Sequence, residues 1–252
     1  MNIDSPAPSQ IPGLRTLWKK AFGDTDAFLD VFFSTGYAPE RCRCITDQRT
    51  PLAALYWLDM VCDDRKFAYI YAVATDPDHR GKGLCRCLME DTARVLKEAG
   101  YQGAMLVPQD EGLRTMYGKM GYLPAAPIEE AFHAATPLSL SAEEISCEAY
   151  AARRKAFLPE GSVLPGKGAL AFLNQLARFY EGDGFLAAAS QETEHLRILE
   201  YLGPAEKIPA LVAALGHTEA TVRRPGGVTP FAMHLPLTAS CPAPGYFPFC
   251  FD

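Results

Sequence analysis

The chain has 252 residues, 48% of them apolar and 21% charged, the make-up of a globular protein with one large domain or two small ones. Its formal net charge of -6 argues against nucleic acid as the main partner, because a phosphate-tracking surface needs surplus Lys and Arg. No run nears the roughly 18 apolar residues of a membrane span, and the start, MNIDSPAPSQIPG, lacks the basic and apolar stretches of a secretory leader, so a cytoplasmic protein is expected.

The eight cysteines read as reduced thiols. Cys42 and Cys44 form one C-x-C, Cys85 and Cys87 another, and Cys62, Cys147, Cys241 and Cys250 are scattered. No C-x-x-C pair or Cys/His cluster has zinc spacing, so no metal is expected.

In chain order, Leu14 to Phe33 predicts two short amphipathic helices broken near Gly23-Asp24, with Asp24 or Thr25 capping the second. CRCITD and PLAALYWLDMVCD predict two strands joined by a turn over Asp47 to Pro51. A third strand, Phe67 to Thr75, would place Phe67, Tyr69, Tyr71 and Val73 on one face and Ala68, Ile70, Ala72 and Ala74 on the other. Two apolar faces predict a central, covered strand. Next comes a glycine-rich loop, then a helical pattern through Leu84, Leu88, Thr92, Val95 and Leu96 that stops at Gly100. AMLVP predicts a short buried strand. Leu113, Met116, Tyr117 and Met120 share one face of another helix.

From Pro124 the composition shifts to Pro, Ala and Ser, predicting a strand and a linker. Beyond it, helical patterns cover Glu143 to Phe157 and Gly168 to Tyr180. FLAAAS and HLRILEYLG predict strands, EKIPALVAALG a helix, and GYFPFCFD a last strand. The two halves share a rough element order, which predicts an internal duplication. The expected division is residues 1–125 and 126–252.

The loop DPDHRGKGLC carries the chemistry. A strand, a glycine-rich turn and a helix start together present free N–H groups to an anion, and the helix dipole favours negative charge there. Gly81 and Gly83 let the backbone approach closely, while Arg80 and Lys82 add charge. Such a loop suits a pyrophosphate. A Walker A loop is absent from the first half, and the nearest form in the second, GSVLPGKG, has Gly168 where the magnesium-binding hydroxyl belongs. The dinucleotide pattern G-x-G-x-x-G begins at Gly81 but fails at Arg86.

Arg80-Gly81-Lys82-Gly83-Leu84-Cys85 resembles the R/Q-x-x-G-x-G/A signature of the GNAT superfamily of N-acetyltransferases, with Cys85 in place of the last small residue. MYGKMGY, from Met116 to Tyr122, resembles the family's Y-x-x-x-G-[FY] ending, although Asp110 replaces the usual Asn seven residues before the tyrosine. The likeness covers about residues 10 to 123. It implies a mixed α/β fold with a mostly antiparallel sheet flanked by helices, and acetyl-CoA as cosubstrate. The loop from Arg80 to Cys85 would hold the pyrophosphate. The strand end at Val73, Ala74 and Thr75 would splay, align the pantetheine arm and polarise the thioester. Tyr117 would be the general acid.

Within the superfamily, DPDHRGKGLCRCLM resembles the enhanced-intracellular-survival (Eis) type, in which a second, degenerate GNAT-like domain follows and a terminal carboxylate assists catalysis. That likeness offers Asp252 as a catalytic group. No general base is marked on strand Phe67 to Thr75, which has no carboxylate; Asp59, Asp63 and Asp64 lie on or after the preceding strand and also read as solvated turn residues. His79 and Lys82 read as solvent-facing, and Cys85 is not expected to be a nucleophile because no partner histidine marks it. The expected acceptor is a small-molecule or peptide amine, and the second half would supply substrate walls, an interface, or both, which leaves a homo-oligomer open. Two other readings remain: a CoA-binding regulatory module without catalysis, and a nucleotide-using enzyme centred on Gly166-Lys167.

Overall fold

The computed structural model describes residues 2–190 and 195–247, which fall into two compact units. Unit 1 comprises residues 1–123, 164–172 and 233–242; unit 2 comprises 124–163, 173–232 and 243–252. Each is a mixed α/β unit with a mostly antiparallel sheet and helices packed on it, the fold class expected from the loop and tyrosine motifs. No helix among the described residues is long and apolar enough to cross a membrane.

Unit 1 begins with β1 (Asn2–Asp4), α1 (Ile11–Phe22) and α2 (Asp26–Thr35). Thr25 caps α2, its hydroxyl accepting from the Phe28 N–H at 3.2 Å. β2 (Cys42–Asp47), β3 (Thr50–Cys62) and β4 (Arg65–Thr75) form an antiparallel meander. Its two tight turns place Gln48 and Arg49, then Asp63 and Asp64, at positive φ. α3 (Leu84–Glu98) crosses over to β5 (Gly103–Leu106), which pairs parallel to β4, and α4 (Glu111–Gly118) follows. The sheet faces differ in chemistry. Leu55, Trp57, Ala68 and Ile70 pack with Leu84, Leu88 and Leu96 of α3 in an aliphatic core. On the opposite face Tyr56 and Tyr71 meet Trp18 and Phe32 of α1 and α2.

Unit 2 takes most of β6 (Leu123–Ala134), then β7 (Glu143–Ile145) and α5 (Cys147–Arg154). β8 (Val163–Pro165) and α6 (Lys167–Leu176) are divided between the units, followed by β9 (Ala177–Gly182), β10 (Phe185–Ser190), β11 (Leu196–Leu202), α7 (Ile208–Ala214), β12 (Glu219–Pro225) and β13 (Thr229–Pro236). Within unit 2 the order is β7-β9-β10-β11-β12-β6, antiparallel except for β11 beside β12. A strand, a helix and a parallel strand therefore recur: β4-α3-β5 in unit 1 and β11-α7-β12 in unit 2. The next strand in each sheet comes from elsewhere in the chain: Met233 to Pro236 of β13 pairs with β5, and β6 pairs with β12.

Three local expectations change. Glu143 to Ile145 is a strand, and the helix starts only after Ser146, whose hydroxyl accepts from the Ala149 N–H at 3.2 Å. The helix from Lys167 ends at Leu176, because Ala177 to Gly182 pairs with β10 instead. Strands β12 and β13 add to the elements read from the sequence. The strand expected at GYFPFCFD falls largely on residues 248–252, outside the described residues.

Candidate active site

β4 is irregular where it approaches the loop. Ala54 pairs with Ala74 and Tyr56 with Tyr71, so β4 carries one residue more than β3 across this step. The extra residue is a β-bulge, and Ala72 takes φ +48° within it. The bulge alters the predicted alternation. Val73 leaves the face of Tyr69 and Tyr71 and packs on the aliphatic core beside α3. Pairing between β4 and β5 covers Phe67 to Tyr69 against Gly103 to Met105, short of the bulge. The β4 end, with Val73, Ala74 and Thr75, thus parts from β5 and opens main-chain groups on that side.

Asp76 turns the chain into the loop. Its N–H donates to the Leu52 carbonyl at 2.8 Å, and its carboxylate accepts from the Asp78 N–H at 3.0 Å and Lys20 Nζ at 2.9 Å. The Lys20 hydrogen bond, helped by the Asp78 N–H, holds the Asp76 carboxyl below the usual range. His79 Nδ1 lies 3.6 Å from the same carboxylate. Arg80 Nε donates to the Thr75 carbonyl at 3.4 Å, and Lys82 Nζ to the Asp78 carbonyl at 3.2 Å, so both exposed cations brace the loop from within. The Lys20–Asp76 clamp was not read from the sequence; the Asp-Pro-Asp turn at its centre is the local signal for it.

Gly81 and Gly83 stand at φ +74° and +78°, and at both the side where a Cβ would project is open space. No side chain caps α3. Its first backbone bond runs from the Cys87 N–H to the Gly83 carbonyl at 3.1 Å, leaving the N–H groups of Leu84, Cys85 and Arg86 without an intrahelical acceptor. An uncapped, glycine-led helix start with two cations beside it presents amide donors and positive charge of the kind an anion takes. Burial pushes the Cys85 thiol up, which opposes a thiolate nucleophile there.

Tyr117 lies on α4, 6% exposed, in the core that also contains Leu84 and contacts Val73 and Cys85. Burial raises its hydroxyl above the usual tyrosine range, with the Cys85 thiol adding to the shift. The fold therefore gathers the bulged strand end, the helix start and Tyr117 around one cluster. Asp110 has a structural part: its carboxylate caps α4, accepting from the Leu113 N–H at 2.7 Å. Asp110→Ala is expected to cost about 1 kcal/mol of stability, read as a lowered midpoint in urea denaturation.

Asp59, Asp63 and Asp64 lie away from the bulged strand end. Asp59 pairs with Ala68, six residues before Ala74, or about 20 Å along the strand. It accepts from Arg41 at 3.1 Å and from the Tyr101 hydroxyl. Asp63 and Asp64 form the hairpin turn beyond it. Asp252 is outside the described residues. The Gly166-Lys167 loop is closed to phosphate at its glycine: Gly166 N–H donates to the Asp59 carbonyl at 2.8 Å, and a Cβ there would sit 2.6 Å from that oxygen. Among the described residues no group of His, Cys, Asp and Glu could hold a metal ion.

Residues 2–125 match a family model described as an acetyltransferase (GNAT) domain. Among solved structures, 94% of the chain is similar to 73% of a GCN5-related N-acetyltransferase from Anabaena variabilis, at 17% identity and a TM-score of 0.75. A GCN5-related N-acetyltransferase from Kribbella flavida is similar over 94% of this chain and 72% of that one, at 15% identity and a TM-score of 0.73. Eis1 from Mycobacterium abscessus is similar over 94% and 74%, at 12% identity and a TM-score of 0.66. At these identities the likeness establishes the fold. No curated protein matches the chain.

Proposed function

Since residues 2–125 are a GNAT acetyltransferase domain, we propose that the protein transfers the acetyl group of acetyl-CoA to a primary amine by direct attack in a ternary complex. The observation that carries this reading is the uncapped α3 start behind Gly81 and Gly83, adjoining a bulged strand end. The Leu84, Cys85 and Arg86 amides and Arg80 would take the pyrophosphate, and the pantetheine arm would lie along Val73, Ala74 and Thr75. No metal enters the scheme.

The amine nitrogen attacks the thioester carbonyl; the N–C bond forms, the C–S bond breaks, and the proton lost by nitrogen ends on the CoA sulfur. A free thiol has a pKa of about 8.5 and a free phenol about 10. The phenol is the weaker acid of the two, so complete proton transfer from Tyr117 to the thiolate runs uphill. Its larger contribution is a hydrogen bond to the departing sulfur, strengthened by the dry setting. Tyr117→Phe is then expected to lower kcat by about one to three orders of magnitude and leave the KM for acetyl-CoA within twofold, in a CoA-release assay. Acetyl-CoA binding without turnover on any amine would favour a regulatory binder instead.

A further inference from the structure

The face of the unit 1 sheet opposite α3 is walled with rings next to the bulge. Tyr71, the residue before Ala72, packs against Trp18 at 5.7 Å, Phe32 at 5.6 Å and Phe172 at 6.0 Å between ring centroids. Phe28 meets Phe172 at 5.8 Å, and Phe33 meets Phe32 at 5.6 Å. Trp18, Phe32 and Phe172 are buried, whereas Phe28, Phe33 and Tyr71 keep part of their surface open. The wall therefore has a closed floor and accessible rings at its margin.

The charges bordering this wall already have partners. Asp24 accepts from Trp18 Nε1 at 2.7 Å, Arg15 pairs with Asp26 and Asp30, Lys19 pairs with Asp26, and Arg41 pairs with Asp59. A polycationic acceptor would have to compete with these internal cations for each of the carboxylates named. An apolar, flat body gains burial and edge-to-face ring contacts there. Desolvation against the rings also disfavours the ammonium form of the acceptor, which supplies part of what a strand carboxylate would otherwise do.

We propose that the acceptor is a primary amine carried on an apolar, ring-bearing body, selected by the aromatic wall of Tyr71, Phe28 and Phe33. This rests on the acetyl-transfer reading above. The test measures kcat/KM for 2-phenylethylamine and tyramine against spermidine and an aminocyclitol polyamine, with calorimetry of each amine on the CoA-loaded protein. Arylalkylamines should exceed the polyamines by at least about tenfold, and Tyr71→Ala should raise their KM about tenfold with the KM for acetyl-CoA unmoved. Phe28→Ala, at the margin of the wall, gives the same readout if Tyr71→Ala fails to fold. Equal or better use of the polyamines, or an unchanged amine KM in the folded variants, would overturn the inference while acetyl transfer stands. Arylalkylamine binding without turnover supports the wall and counts against acetyl transfer; no binding of either arylalkylamine overturns the inference.

Discussion

Gly83→Ala is expected to weaken acetyl-CoA binding about a hundredfold while the protein still folds. Gly83 lies in the left-handed region at φ +78°, so alanine adds about 1–2 kcal/mol of backbone strain. It meets no protein atom, because the space around its Cβ is open. On the present reading the ligand's diphosphate fills that space. A methyl group there would push the phosphate off the Leu84 and Cys85 amides, and each charge-assisted bond lost is worth about 1.5–3 kcal/mol. Gly100 provides a control at the other end of the same helix: φ is +81° and its Cβ side is equally open. Gly100→Ala should lower the melting temperature as Gly83→Ala does, yet leave acetyl-CoA affinity within twofold by calorimetry. Equal affinities in both variants would remove the phosphate from the α3 start.

The loop was legible because its physics is local. Glycines, a proline and two cations between an apolar strand and an amphipathic helix announce both the turn and its charge. The bulge is not legible, since Ala72 has no local preference for positive φ and only the β3 register forces it there; simple alternation therefore puts Val73 on the face opposite the one it takes. Likewise Ala169, Phe172, Leu173 and Leu176 keep helical spacing, and no Gly or Pro marks the change to strand at Ala177. Pairing of β9 with β10 decides that boundary. β12 carries little apolar alternation because its pairing is partly ionic. Arg223 and Arg224 stand opposite Glu130 and Glu129 in register, with a 2.7 Å contact from Arg224 to Glu129, and such residues hide an apolar alternation.

Unit 2 repeats the bulge, and a buried ion pair next to it is expected to give the second large effect. The register of β10 and β11 slips beside Leu199, as that of β3 and β4 does beside Ala72. The next residue of β11 is Glu200, fully buried, and it holds Arg154 in a two-point ion pair: Nε to Oε2 at 2.5 Å and the outer nitrogen to Oε1 at 2.7 Å. Tyr150 donates to the same carboxylate, Arg154 also donates to the Val163 carbonyl at 3.1 Å, and wholly buried Tyr246 feels the Glu200 charge. Burial pulls the Arg154 pKa down and Glu200 more than offsets it, so the guanidinium stays charged. The strand segment matching the one assigned to acetyl-CoA in unit 1 is thus committed to an internal pair, and the link before α7, Gly203 to Lys207, has no second glycine. Arg154→Met is expected to cost about 3–5 kcal/mol, because it strands a buried carboxylate, whereas Arg154→Met combined with Glu200→Leu removes both charges and should recover much of that loss. Urea denaturation of the two single variants and the double variant measures the coupling. If the double variant lost the sum of the two single effects, Arg154 and Glu200 would be acting independently and the pair would not be what closes this part of unit 2.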